Sequence, residues 1–286
     1  MIYLFVVSLA WAFSFGLIKG VLTGVDSNFV SFARMFISFL VFLPFIRFKK
    51  ISLKVGWKLA LAGVIQFGIM YIAYIASFKY LKAYEVALFT IFTPIYVTLI
   101  NDAITKKLSI LHLAAALVTV AGTWIVERQQ LQTPGIWTGF LLVQVSNLAF
   151  AFGQIYYRKL MAENPQLRNR EVFGILYLGA VLVTAAATAI FTPLASISLT
   201  MQQAWTLVYL GAFASGVCFF LWNVGARKVN AGTLAIFNDL KIPLAIAVSL
   251  LVFGEKTDLP ALLIGGAIIL LALFMNERLE KKQETY

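Results

Sequence analysis

The chain has 286 residues, of which 61% are apolar and 12% charged, and its mean hydropathy is +0.89. A soluble domain is nearer half apolar and a quarter charged, so water is excluded as the solvent of most of this surface and lipid is implied. One cysteine (Cys218) and one histidine (His112) exclude a disulfide framework and a metal site built on several such ligands, and the net charge of +11, scattered in short clusters between apolar stretches, excludes a nucleic-acid-binding domain.

A helix crosses about 30 Å of hydrocarbon with about 20 residues. Ten stretches qualify, and the sequence predicts an all-α polytopic membrane protein. The first, Ile2–Leu22, has no basic leader or small-residue cleavage site and is expected to be a retained span; it carries Ser14. Asp26-Ser27 separates it from the second, Phe29–Phe48, which holds Arg34 about six residues in. That arginine is expected to snorkel to the outer surface or to bond the C-terminal carbonyls of another helix, with substrate contact as the alternative. The third, Trp57–Phe78, carries Gln66, Tyr71 and Tyr74, and the fourth, Ala83–Ile100, carries Glu85, Thr90, Thr93 and Pro94. The fifth, Leu108–Val126, has His112 near its start, read as interfacial. After Thr133-Pro134-Gly135 comes the sixth, Ile136–Tyr157, with Asn147 and Gln154, and then the seventh, Val172–Phe191. The eighth, Trp205–Val224, ends on Trp222 and Asn223; the ninth, Ala231–Phe253, holds Asn238, Asp239, Lys241 and Pro243, with Glu255 just beyond; the tenth is Pro260–Met275. The remaining residues form short loops and leave no room for a soluble domain.

Orientation follows from the loop charges. With the N-terminus placed in the cytoplasm, 16 of the 23 Lys and Arg fall in cytoplasmic segments and 5 on the opposite side. Both termini are therefore expected inside, on an even number of spans, in a bacterial inner (plasma) membrane.

The halves of the chain resemble each other. Ala12 to Ile18 (AFSFGLI) matches Ala149 to Ile155 (AFAFGQI), and Gly63, Gly68, Tyr74, Lys79, Ala83 and Phe89 match Gly211, Gly216, Trp222, Arg227, Ala231 and Phe237 at an offset of 148. Five spans is an odd number, so a second copy must insert upside down. The expected fold is ten transmembrane helices as two inverted five-helix repeats, residues 1–130 and 131–286, in one membrane domain. That design places a substrate site near the midplane between the halves.

Polar residues inside spans point to the site, because lipid makes them costly. Asn238, Asp239 and Lys241 beside the Pro243 break are the first substrate-binding candidates, followed by Tyr74, Trp222, Gln66, Tyr71 and Asn223, whose apolar bodies and polar tips suit an amphipathic molecule. Ser14, Asn147 and Gln154 on the duplicated first and sixth spans are further candidates, or helix-to-helix hydrogen bonds. Glu85, Pro94, Pro243 and Glu255 are expected to act in gating or coupling, with Glu85 alternatively a charge on a helix N-terminus and Glu255 a cap or ion pair.

Trp11, Arg34, the stretch from Ala83 to Pro94, its fuller second copy from Val229 through Pro243 to Gly254-Glu255, and Gly265-Gly266 together resemble EamA-type members of the drug/metabolite transporter superfamily. The first copy departs from the pattern, with Asn101-Asp102 where a Gly-Glu might stand. The resemblance implies ten spans, a cavity lined mainly by spans 1, 3, 4, 6, 8 and 9, and export or exchange of small metabolites, amino acids being a common class. A zwitterion would satisfy both Asp239 and Lys241. No cofactor is expected. The expected partners are a small-molecule substrate and the lipid bilayer, not nucleic acid, with the chain a monomer or homodimer. An integral membrane enzyme lacks a catalytic constellation here, and a channel lacks a filter-like loop.

Overall fold

A computed structural model describes residues 2–105, 134–193, 195, 197–228, 242, 244–254, 260, 263–264, 267–268 and 271. Among these, seven helices are long and apolar enough to cross a membrane: α1 (Ile2–Val21), α2 (Ser27–Phe45), α3 (Leu53–Ser77), α4 (Ala83–Asn101), α5 (Ile136–Glu163), α6 (Asn169–Phe191) and α7 (Met201–Ala226). They correspond to the first four and the sixth to eighth expected spans. The fifth span, with His112, and much of the ninth and tenth lie outside the described residues.

Helix boundaries follow capping chemistry more than hydropathy. The Asp26 carboxylate accepts the backbone N–H groups of Asn28 (3.0 Å) and Phe29 (3.1 Å), so α2 starts two residues before its apolar run. Pro44 then tightens its end into the 3-10 turn Leu43–Phe45. Ser52 caps α3 through the Val55 amide, which brings its start back to Leu53. Thr200 and Gln203 form a capping box that starts α7 at Met201. Gly135, at φ 87°, turns the chain into α5 in a conformation that disfavours side chains, and lies against the Tyr80 ring.

Helices α1 to α4 run in alternating directions, as do α5 to α7, while α4 and α5 start at the same end, where Gly139 lies against Leu81. At one end Lys19 Nζ donates to the Phe78 carbonyl (2.7 Å), Thr192 Oγ1 to Asp26 (2.5 Å) and Gln203 Nε2 to the Val21 carbonyl (3.3 Å). At the other end Lys50 pairs with Glu171 (2.9 Å), and Arg227 bonds Asn169 (2.8 Å). Leu61, Leu141, Leu182 and Ile190 are among the large apolar side chains left exposed, as a lipid-facing surface requires.

The interior is held by close backbone approach. A Cβ on Gly63 would stand 1.8 Å from the Leu176 carbonyl oxygen, and one on Gly179 would stand 2.1 Å from that of Ala60. Glycine is therefore required where α3 and α6 cross. In lipid, where apolar burial gives helices no reason to associate, such contact supplies the dispersion energy that joins them. Beside it, Phe67 stacks on Tyr177 with ring centroids 5.1 Å apart.

Two helices contain wide turns. Val64–Ile69 in α3 and Leu210–Val217 in α7 are π-helical. They fall on the two glycine-bearing stretches that match at the offset of 148.

Candidate functional site

The π-turn in α7 frees backbone carbonyls, and side chains from three helices take them. Ser38 donates to the Gly211 carbonyl (2.8 Å) and Trp11 Nε1 to that of Ala214 (2.9 Å). Tyr177 donates to the carbonyls of Ser215 (2.6 Å) and Gly216 (3.0 Å). Wide turns of this kind are frequent at functional sites, and here the turn also presents the Ser215 hydroxyl to Arg34.

Arg34 is 2% exposed. Its Nε donates to Ser215 Oγ and its Nη2 to the Tyr71 hydroxyl, each at 3.0 Å, and its Cζ lies 4.6 Å from the centre of the Tyr71 ring. Tyr71 and Ser215 are themselves bonded at 2.8 Å. Nη1 is buried and has no hydrogen-bond partner, and among the described residues no carboxylate lies within ion-pair distance of the guanidinium. The expected snorkelling or carbonyl capping is absent. Arg34 points into the bundle, about 10 Å along α2 from its start, and carries a buried positive charge that, among the described residues, side chains solvate without neutralising.

That charge faces a partly open cavity of about 70 Å³. Aromatic and apolar side chains dominate its lining: Trp11, Phe15, Met70, Tyr74, Phe150 and Phe219. Arg34 and Tyr71 supply one polar region; Thr90 and Thr93 of α4 with Ser146 and Asn147 of α5 supply another, and Ser14 of α1 completes the set.

The second region has its origin in Pro94. Proline has no N–H for the Thr90 carbonyl, so Thr93 N–H turns to that oxygen and the helix tightens to 3-10 over Thr90–Phe92. The Phe89 carbonyl is thereby released. Asn147 Nδ2 donates to it at 2.9 Å, while Asn147 Oδ1 accepts from Thr93 at 3.1 Å. Gln144 joins through Asn147 (3.2 Å) and Tyr96 (3.2 Å).

The expected site residues thus divide. Tyr71, Tyr74, Ser14 and Asn147 line the cavity. Gln66, Gln154, Trp222 and Asn223 come together in a separate buried cluster, in which Gln66 Nε2 donates to Asn223 Oδ1 (3.4 Å) and Trp222 Nε1 to Gln154 Oε1 (3.4 Å). Glu85 lies apart from both. It is 3% exposed and accepts the Lys82 backbone N–H (2.7 Å), fixing the start of α4. Asn238, Asp239, Lys241, Pro243 and Glu255 lie outside the described residues. Arg34 is the functional candidate that sequence reasoning set aside. Its helix adds the second span to the lining expected from spans 1, 3, 4, 6, 8 and 9.

A bundle of helices long and apolar enough to span a membrane, packed around an aromatic cavity with a buried cation, defines a polytopic membrane protein. Its sequence matches the EamA-like transporter family over residues 1–128 and 137–277, and the chain belongs to that family. It is 39% identical over 276 residues, 96% of each chain, to a Pseudomonas aeruginosa protein named a probable biotin transporter. It is 38% identical over 280 residues to the proteins named biotin transporter in Salmonella typhimurium and in Escherichia coli K12, covering 97% of this chain and 93% of theirs. A solved crystal structure, 19% identical, superposes with a TM-score of 0.70 over 95% of this chain and 94% of its own, a likeness of fold. The protein is a small-molecule transporter of the membrane and not an enzyme.

Proposed function

We propose that this chain is a secondary carrier of biotin or a close relative of it. The observation that carries the reading is Arg34, a buried guanidinium with a free N–H and no acidic partner among the described residues, facing an aromatic cavity. Biotin has a carboxylate at one end, an apolar chain and thioether ring between, and a urea at the other. The carboxylate complements Arg34, charge and hydrogen bond together. The apolar middle suits Trp11, Phe15, Phe150 and Phe219, and the urea suits the Thr93 and Asn147 region. The names of the relatives support the same substrate.

In this reading the two family matches are two inverted five-helix repeats, residues 1–130 and 131–286, with ten spans in all. The paired π-turns support the duplication, since they fall on stretches that the offset of 148 aligns. Among the described residues, Arg47, Lys49, Lys50, Lys54, Lys58, Arg158, Lys159, Arg168, Arg170, Arg227 and Lys228 stand at one end of the bundle, and Lys19, Lys79 and Lys82 at the other. The first end is the cytoplasmic one, in a bacterial inner membrane. Exchange of accessibility between the two ends moves the substrate.

Counterflow in proteoliposomes tests the proposal. Vesicles preloaded with biotin should accumulate labelled biotin, saturably and only with protein present. An amino acid, the substrate class expected from the sequence, shares the carboxylate and belongs in the same panel. Exchange of amino acids with none of biotin would transfer the assignment to them. Imposed gradients in the same vesicles read whether net movement is export or uptake.

A further inference from the structure

Among the described residues three buried side-chain atoms lack a hydrogen-bond partner. Glu171 Oε2 stands at the rim, where its sister oxygen holds Lys50. The other two are interior: Arg34 Nη1, a donor in the cavity, and Gln66 Oε1, an acceptor behind it.

Gln66 has no exposed surface. It lies flat on Gly153, where a Cβ would come 2.1 Å from its own. Its hydrogen bond to Asn223 and that between Trp222 and Gln154 are both 3.4 Å, beyond the ordinary N–H···O range. An amide buried with an unpaired oxygen costs about 1–3 kcal/mol, and an apolar side chain would fill the same space without that cost. Helix association alone gives no reason for the arrangement.

What separates this cluster from the cavity is one aromatic layer. Trp11, Phe150 and Phe219 line the cavity. On their other side Trp11 meets Trp222 with centroids 5.0 Å apart, and Phe219 meets Phe67 at 5.2 Å. Phe67 is the neighbour of Gln66 in the chain, and Trp222 bonds Gln154. Gln66 is five residues from Tyr71 on α3, so the cluster lies about 7 Å further along the helix than the Arg34 site.

We propose that Gln66, with Asn223 and Gln154, is a second substrate station beyond the aromatic layer, where the unpaired amide oxygen accepts an N–H of the urea as the substrate passes. This rests on the carrier reading above. Arg34 in the cavity offers a donor suited to the carboxylate, and Gln66 beyond the aromatic layer offers an acceptor suited to a urea N–H.

The test uses the full chain in proteoliposomes with biotin and 2-iminobiotin, whose urea oxygen is replaced by an imino nitrogen so that this end is cationic and rich in donors. Gln66→Glu should raise the transport ratio of 2-iminobiotin to biotin at least tenfold. Gln66→Leu should slow transport of both at least tenfold while the Kd for biotin stays within threefold of wild type, because Gln66 does not line the cavity. An unchanged ratio in Gln66→Glu, with the protein monodisperse and binding biotin, overturns the station. So does a loss of affinity in Gln66→Leu as large as its loss of rate, which would mark Gln66 as part of the cavity or of the fold. Wild-type vesicles that exchange neither compound overturn the carrier reading and the station with it. The wild-type protein alone thus judges the carrier reading, and its comparison with the variants judges the station.

Discussion

Replacing Arg34 by methionine separates a binding role from a structural one. In the unliganded protein Arg34 makes hydrogen bonds to Ser215 and Tyr71, yet its charge is buried without a carboxylate partner among the described residues. A charge inside the membrane costs about 3 kcal/mol on insertion scales. Methionine has similar length and no charge, and Tyr71 and Ser215 keep their mutual bond of 2.8 Å. The thermal transition of the ligand-free Arg34→Met protein in nanodiscs should therefore be unchanged or higher. Binding should fall steeply. Removing one member of a desolvated, hydrogen-bonded charge pair costs about 2–5 kcal/mol, about 30- to 4,000-fold in Kd. Scintillation-proximity binding of tritiated biotin reads this directly. Arg34→Lys keeps the charge but loses the planar fork held over the Tyr71 ring, and should fall between the two. Wild-type affinity in Arg34→Met would refute the assignment. A transition lowered by several degrees would refute it equally, since it would show that the guanidinium is needed to hold the unliganded helices together.

Three further outcomes follow from the packing and the rim. Gly63→Ala places a methyl group 1.8 Å from a backbone oxygen that no rotamer change can move away, so unfolding by heat or denaturant should show a loss of about 3 kcal/mol or more. Asp26 is pushed up by partial burial, but the hydrogen bonds from Thr192, Phe29 and Asn28 and the charge of Lys79 outweigh this and hold its carboxyl below the ordinary aspartate value. Its contribution is fully present above the unfolded value of about 3.9 and is lost as pH falls through the lower folded value. Asp26→Ala should cost about 1 kcal/mol at neutral pH and should flatten the decline of stability below about pH 4. Cys218 is the one cysteine of the chain and is fully buried, so cysteines placed at Lys54 or Lys58 can be labelled without background; impermeant maleimide should reach them only from the cytoplasmic face.

Much of the fold was legible because lipid imposes length and apolarity on each span. The seven described helices fall on expected spans, and three of their starts differ where a polar side chain caps the backbone. Asp26 draws a helix start two residues outward, Ser52 and Thr200 four each, and α5 continues to Glu163, past the expected Tyr157, until Asn164-Pro165 stops it. Tyr71, Tyr74, Ser14 and Asn147 were found as polar tips on apolar helices. The depth of Arg34 was misjudged because it was counted along its own helix, while the side chain is held inside by Ser215, 181 residues away, on a turn with no mark in the sequence beyond its glycines. The Gln66 cluster was named residue by residue, but its separation from the cavity depends on how Trp11, Phe150 and Phe219 meet, which one chain's periodicity does not reveal. The Glu85 capping contact needed only the three-residue spacing to Lys82, a pattern that is also common in loops.

The glycine crossing of α3 and α6 limits how this molecule can change shape. Backbones in such contact interlock like meshed teeth, and a slide of one helix past the other would drive Leu176 and Ala60 into space that only hydrogen atoms fit. A ratchet along that seam is closed off. Adjustment has to occur within helices instead, where the wide turns of α3 and α7 have already given up the regular ladder and one more residue can be taken in or let out at small cost. These turns border the two places where a substrate would pause: that of α7 carries Ser215 beside Arg34, and that of α3 contains Gln66. If the proposed stations hold substrate, the joints and the binding groups are the same residues, and occupancy of a site bears directly on the bend beside it.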